Sequence, residues 1–279
     1  MRARLCGVRG GTPAPGIEFA RYGGHTSCVE LTRSGDARPS LILDAGTGIR
    51  DAAGGRGAPP FDGSLLLTHL HWDHVQGLPF FPAGDRPDAR TSLLLPEQED
   101  GAGAVEVLAR AISPPHFPIT PTQLRGDWSF ALLAEGEREI EGFTVLARAI
   151  PHRGGRTFGY RISDGSATLA YMPDHCPTML GPGPDGLGEY HPAAVELASD
   201  ADLLIHDGQL RREELAAEAR FGHAALEYPV ALAQRAGVRS VILFHHRYDR
   251  TDAELDALGA ELSDRPDVSL AVQGSTIEL

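Results

Sequence analysis

An α+β fold in a single domain is what the order of apolar runs predicts. Strand-like runs dominate the first part of the chain, helix and strand patterns alternate through its last third, and no linker separates the two parts. At 279 residues the chain is long for the commonest domain size but within reach of one α/β or all-β domain. A composition of 42% hydrophobic and 23% charged residues is that of an ordinary globule, so residues 1–279 are assigned to one domain.

The elements follow in chain order. Over the first 60 residues, "LCGV", "SCVEL" and "SLILDAGTG" alternate with glycine-rich turns and predict a β meander. "SLLLTHLHWDH" continues as a short buried strand whose end feeds a histidine cluster. Residues 97–115 read as a helix stopped by two prolines, and "SPPHFPITPTQL" as an irregular excursion, so the segment 97–140 is a candidate lid or insertion. Strands are expected at 143–150, 158–163 and 167–174. After the loop "LGPGPDGLGEY" come helix "HPAAVELAS", strand "ADLLIHD" and helix "RREELAAEA". Helix "ALEYPVALAQRAG", strand "SVILFHH", helix "DAELDALGAELSD" and strand "VSLAV" complete the chain.

Charge and cysteine content exclude several classes. With 25 basic against 38 acidic residues, the formal net charge of −13 opposes a large sequence-independent attraction to nucleic acid, although a local basic patch stays open. "MRARLCGVRGG" has no apolar h-region and no apolar run approaches a membrane span, so a cytoplasmic location without membrane contact is expected. Cys6, Cys28 and Cys176 are odd in number and lack C-x-x-C spacing, which predicts three reduced, buried thiols.

The chemistry gathers in "THLHWDH", residues 68–74. Imidazole nitrogens and carboxylate oxygens bind zinc at about 2.0–2.2 Å, and a loop leaving a strand can turn neighbouring side chains toward one point. His69 and His71 can share one ion, while Asp73 and His74, further round the turn, can face a second. Burying four such groups unpaired would cost several kcal/mol, so as a unit they point to metal rather than to core packing. A binuclear site needs further ligands. His152 after "VLARAIP", Asp174 after "TLAYMP" and His245 after "SVILF" all stand where strand-like runs end, and Asp174 has two oxygens with which to bridge.

"THLHWDH" followed by His152, Asp174 and His245 resembles the metallo-β-lactamase fold superfamily of binuclear metal hydrolases, over nearly the whole chain. The resemblance implies a four-layer αββα sandwich with the metals at one edge of two packed sheets. It implies one ion on His69, His71, His152 and Asp174 and another on Asp73, His74, Asp174 and His245, with no organic cofactor. Zinc is the first expectation for the two divalent ions, manganese or iron being compatible with the same donors. "VRGGTPAPG", "RYGGHTSC" and "LILDAGTGIRD" look like the opening of the phosphodiesterase-type members, which include ribonuclease Z. "LLIHDGQ" and "GHAA" stand where that branch carries "HEAT"- and "GHST"-type loops, which would make His223 a phosphate-facing catalytic residue and Asp207 its orienting carboxylate.

Departures refine the expectation. Asp207 replaces a longer glutamate, Ala224 and Ala225 replace hydroxyl residues, and no basic, glycine-rich segment resembles the RNA-binding arm of ribonuclease Z. The expected substrate is therefore a small or cyclic phosphodiester rather than a large nucleic acid. It would be attacked by a hydroxide held between the ions, with Asp73 accepting a hydrogen bond from it. The resemblance leaves a homodimer open. Two rivals remain: a lactone or thioester hydrolase using the same metals, and a non-catalytic sensor of a phosphorylated metabolite. Of the other histidines, His25, His116 and His175 are expected to be structural or exposed, and His206 to point away from Asp207. His246 should point away from His245, since strand neighbours face opposite ways. "LDAGTG" reads as a turn bringing backbone near the site, and Trp72, Phe117 and Tyr248 as core residues or apolar walls.

Overall fold

Two seven-stranded sheets face each other in the computed structural model, which describes residues 1–279. The first sheet holds β1 (Arg2–Gly7), β2 (Cys28–Thr32), β3 (Leu41–Leu43), β4 (Asp62–Leu66), β5 (Arg90–Pro96) and β6 (Asp127–Leu133) in that order. The second runs from β7 (Gly136–Ile140) through β8 (Phe143–Ala149), β9 (Phe158–Ser163), β10 (Thr168–Met172), β11 (Leu203–Asp207) and β12 (Ser240–Phe244) to β13 (Val268–Leu270). The last strand, β14 (Thr276–Glu278), returns to the first sheet and pairs antiparallel with β1, Arg2 opposite Glu278. Pairing is parallel from β3 to β6 and from β10 to β13. The carboxyl ends of these strands therefore gather along one edge, where open α/β sheets place ligands.

Burial explains the layering. β8 alternates, with Phe143, Val145 and Ala147 inward and Thr144, Leu146 and Arg148 less covered. β2, β3 and β11 are buried on both faces, as strands sandwiched between layers must be. Leu5, Val29, Leu43, Tyr160, Ile205 and Phe244 pack between the sheets. Ile49, Phe61, Leu65 and Leu108 cover the outer face of the first sheet, and Leu197, Leu204, Leu232 and Leu243 that of the second. Three separate apolar layers require four layers of structure, the αββα sandwich.

The helices obey their end signals. Helix α1 (Trp72–Val75) is a single turn, α2 spans Ala104–Ala109, and α3 (Pro192–Ala198) starts on a proline that has no N–H to lose. The four-residue α4 (Leu215–Glu218) precedes α5 (Glu227–Ala236), which stops at Gly237 in the left-handed region, φ 72°. Finally, α6 (Asp252–Glu261) opens with a capping box between Thr251 and Glu254. No helix is long and apolar enough to cross a membrane.

The structure differs from the sequence expectations in four places. The helix expected over 97–115 is only α2, because Gly101 (φ 73°) and Gly103 leave 97–103 non-helical. Residues 127–140 of the candidate lid are the edge strands β6 and β7, which carry the chain from one sheet to the other. The expected meander stops at β3: Thr47–Gly54 is 3-10 helix, and β4 pairs parallel to β3. "RREELAAEA" breaks into 3-10 turns around α4.

Candidate metal centre

Strand ends deliver the site. β4 stops at Leu66, and Thr68 then turns onto Asp44, donating to Oδ1 through its amide at 2.8 Å and its hydroxyl at 3.0 Å. His71 is extended (ψ 150°) and caps α1, so Asp73 and His74 fall in the first helical turn, facing the same space as His69 and His71. His152 follows β8, Asp174 follows β10, Asp207 ends β11 and His245 follows β12. His245 (φ 61°) and Asp44 (φ 60°) adopt left-handed backbone, a strain of about 1–3 kcal/mol each that persists where surroundings over-determine it.

The ligand atoms of His69, His71, His152 and Asp174 lie within 4.8 Å of one another, and so do those of Asp73, His74 and His245. Asp174, 1% exposed, divides its oxygens between the two sets. Oδ1 is 3.9 Å from His69 Nε2 and 3.6 Å from His152 Nε2, while Oδ2 is 2.9 Å from His74 Nε2 and 3.3 Å from His245 Nε2. His71 Nδ1 stands 3.2 Å from His152 Nε2, and His74 Nε2 stands 3.2 Å from His245 Nε2. Two nitrogens on one tetrahedral zinc sit about 3.3 Å apart given Zn–N bonds of about 2.0–2.1 Å, so both pairs have the spacing of shared ligation.

Ring tautomers point the same way. Thr68 Oγ1 donates to Asp44, so it accepts from His69 Nδ1–H at 3.0 Å. His74 Nδ1 donates to Asp44 Oδ2 at 2.9 Å, His152 Nδ1 to Gly222 O at 2.7 Å, and His245 Nδ1 to Gln209 Oε1 at 3.1 Å. These are assignments from the hydrogen-bond network, and each leaves Nε2 as a lone pair aimed inward, the arrangement that outer partners impose on metal-binding histidines. His71 alone enters through Nδ1. His69 Nε2 and Asp174 Oδ2 are buried without a hydrogen-bond partner, since the 2.9 Å approach of His74 to Oδ2 is too poorly aligned for one. Lone pairs and carboxylate oxygens converging in a buried space repel unless a cation lies among them. The donor set thus fits a pair of divalent ions.

Electrostatics reveal the same need for positive charge. Burial pushes His69 well below the ordinary imidazole range and His152 down to about 4, favouring the neutral rings that metals bind. Burial opposes charge on His74 as well, but Asp174, Asp44 and Asp73 outweigh it and hold that ring well above its usual range. Burial would raise Asp73 and Asp174, yet the surrounding imidazoles, His74 first for Asp73 and His245 first for Asp174, keep both well below the usual carboxylate range.

Beside this cluster stands a second arrangement. His223 Nδ1 donates to Asp207 Oδ2 at 3.0 Å and lies 3.7 Å from Asp174 Oδ1. Asp207 is held by the amides of His175 (3.1 Å) and Gln209 (3.0 Å). Burial works against charge on His223, but Asp207, Asp174 and Asp73 push it up to about 9. Gly222, at φ 98°, lets the chain turn so that its carbonyl meets His152 while the next residue faces Asp207. A Cβ there would come within 2.9 Å of the His152 ring.

The remaining residues sort cleanly. His246 leaves the cluster and donates to Ala271 O at 2.8 Å; the left-handed turn at His245, not strand alternation alone, separates the two rings. His175 Nδ1 donates to His206 Nε2 at 2.9 Å behind the cluster, and His206 Nδ1 to Asp207 O at 2.8 Å. His25 pairs with Thr47 Oγ1 and His116 is exposed. Trp72 and Tyr248 are exposed rather than core. Sequence reading missed Asp44, Gln209 and Gly11, whose amide donates to Asp73 Oδ2 at 2.6 Å. For Asp44 a signal existed, a carboxylate in an otherwise apolar strand end "LILDAG"; for the other two none did.

Comparison with known proteins gives a matching family model, curated relatives and solved structures of similar fold. Residues 40–246 match the family model of the Beta-lactamase superfamily domain. The ribonuclease Z of Gemmatimonas aurantiaca is 25% identical, over 91% of this chain and 90% of its own. Among solved structures, a diphosphatase from the PhnP family has TM-score 0.70 at 17% identity, covering 100% of this chain and 97% of the other. Human tRNase Z, short form, has TM-score 0.67 at 19% identity, covering 100% and 99%.

Proposed function

Because the chain belongs to the β-lactamase superfamily, we propose that it is a metal-dependent hydrolase acting on phosphodiesters. One observation carries the reading: a carboxylate, Asp174, whose two oxygens face two ligand sets, with the His223–Asp207 pair immediately beside it. His69, His71, His152 and Asp174 would hold one divalent ion, and Asp73, His74, His245 and Asp174 the other. Zinc is the first choice for these donors, with manganese or iron also compatible. When bound, such a pair supplies Lewis acidity that lowers the pKa of water and offsets phosphoryl charge.

The chain's own groups do the rest. Asp73, whose Oδ2 is held by the Gly11 amide and faces His245 Nε2 at 3.1 Å, would bind metal through that oxygen and accept a hydrogen bond from the attacking water through the other. His223, anchored through Nδ1 on Asp207, has Nε2 left to donate to a non-bridging phosphoryl oxygen or to protonate the leaving alkoxide. A diester remains anionic throughout hydrolysis, so a protonated imidazole at that position meets charge from start to finish. This favours phosphorus over a neutral lactone or thioester carbonyl.

For the substrate, the net charge of −13 supports a small or cyclic diester. The likeness to a ribonuclease Z over nine-tenths of its length favours RNA as a second reading. It also withdraws the expectation that a large nucleic acid is an unsuitable partner. Metal-loaded protein assayed on bis(p-nitrophenyl) phosphate, p-nitrophenyl phosphate, a lactone and a thioester should hydrolyse the diester first. A 2′,3′-cyclic nucleotide set against a structured RNA separates the two substrate readings. His223→Ala should retain both ions by elemental analysis and lose about 100- to 1000-fold in diester turnover. Unchanged turnover in that variant would remove the support for phosphodiester chemistry.

A further inference from the structure

One wall of the metal cluster is shared with a separate cavity. His71, whose Nδ1 joins the cluster, also lines a half-open space of about 300 Å³ between the 69–75 segment and α2. Its other walls are mostly apolar: Leu70, Val75, Val107, Ala111 and Ile112. Trp72, set in sequence between His71 and Asp73, stands at its edge with 75% of its surface exposed. An exposed indole one residue from two metal-facing side chains, lining the same cavity as His71, is an uncovered apolar surface beside the cluster.

The polar groups on this wall define what fits. Arg110 is engaged by Asp100 at 2.7 Å and by Glu106 at 3.6 Å, so its charge is already answered and it offers little grip to a phosphate. Gln98 Nε2 donates to Pro96 O at 2.7 Å, which leaves Oε1 as an acceptor. An apolar slot with an indole and one amide acceptor suits a flat, uncharged heteroaromatic ring carrying an N–H donor. A larger cavity of about 640 Å³ near Phe80 has Arg50 and Arg56 on its wall, in no ion pair, but includes no residue of the metal cluster.

We infer that the cavity bounded by His71, Trp72, Gln98 and Ala111 receives the nucleobase of a nucleotide diester whose phosphate is held at the metal cluster. The inference rests on the phosphodiesterase reading and names its substrate class. Trp72 stacks on the base and Ala111 leaves room for it. Neither touches the reacting atoms, so both act on specificity. Base–aromatic stacking of this kind is typically lost at about ten-fold or more in affinity when the aromatic ring is cut to alanine.

The test pairs two esters that differ only in the base: adenosine 2′,3′-cyclic phosphate and methyl riboside 2′,3′-cyclic phosphate. In each, water adds to phosphorus, one ring P–O bond breaks, and the freed ribose oxygen takes the proton. Wild type should open the adenosine ester with at least about ten-fold higher kcat/KM. Trp72→Ala and Ala111→Phe should bring that ratio toward one, chiefly through KM, while the base-free ester changes less than about two-fold. Trp72 is exposed, so its variant leaves the core intact even if the Ala111 variant folds poorly. Phe80→Ala should leave the ratio alone; its collapse there would move the base to the larger cavity and overturn the inference.

A binding measurement separates the two layers of the argument. The chain has two tryptophans, so quenching by adenosine 5′-monophosphate that disappears in Trp72→Phe reports this cavity, with ribose 5-phosphate as the base-free control. Quenching without hydrolysis of either ester keeps the cavity and sinks the phosphodiesterase reading. Hydrolysis of both esters at equal rates, with no Trp72-dependent quenching, does the reverse.

Discussion

Four of the converging side chains, His69, His71, Asp73 and His74, leave the chain within six consecutive positions at the end of β4, whereas His152, Asp174 and His245 come from three separate strand ends in the opposite sheet. The first group is aimed from within one sheet: a turn held by Asp44 at the end of the neighbouring β3, then one turn of helix. The second is aimed only if β8, β10 and β12 take their places in the second sheet and that sheet packs on the first. A pair of ions shared between the two groups would tie one sheet to the other, and its free energy of binding would become free energy of folding. Asp174 is the point where this coupling concentrates, since it serves both ligand sets from the far sheet.

Asp174→Ala gives the largest break in that comparison. It should cost more than about 1000-fold in diester turnover, because removing a shared ligand disrupts both ions at once. Elemental analysis should find both ions depleted; retention of two ions per chain would show that neither ligand set depends on Asp174. Asp44→Ala sharpens the comparison from the near side. Asp44 holds His74 at 2.9 Å and also accepts from Thr68 and Tyr171, so its loss should weaken metal affinity or activity by about 10- to 100-fold, the usual effect of an outer partner. A metal-competition titration reads this: the ion set of His74, held directly, should weaken most and that of His69, held through Thr68, less; unchanged affinity for both ions would contradict the role.

The smallest effect is thermal. An ion present at about a thousand-fold over its dissociation constant stabilises the native state by about 4 kcal/mol. At about 2 °C per kcal/mol for a chain of this size, loss of two such ions to a chelator should lower Tm by about 16 °C. An unchanged Tm after complete chelation would mean the sheets hold together without help from the cluster.

Much of the site was legible because its residues carry their own signal. Three imidazoles and a carboxylate in "THLHWDH" have few other uses, and His152, Asp174 and His245 each follow an apolar run that any pattern reading marks as a strand. Asp207 and His223 were found by resemblance, and the structure places them 3.0 Å apart. Gln209 and Gly11 were invisible: a glutamine in a loop and one glycine of a pair say nothing until a ring or carboxylate from a distant segment arrives beside them. The edge strands β6 and β7 were hidden in the same way. "DWSFALL" and "GEREI" have mixed exposure, and only pairing with β5 and β8 makes strands of them. The exposure of Trp72 likewise depended on what failed to cover it.

Local physics wrote the parts that needed no distant partner: which residues can ligate a metal, where helices start on Pro192 and Thr251, and where apolar runs end in a polar side chain. Those depend on interactions over a few positions, and the amino-acid order carries them outright. Tertiary structure alone decided that β14 would close the first sheet, that a left-handed turn would send His245 inward and His246 away, and that Asp44 would meet His74. It also left a slot beside His71 open. Each of these pairs groups many residues apart in the chain, and such a meeting is settled by the summed packing of two sheets rather than by any short stretch of sequence.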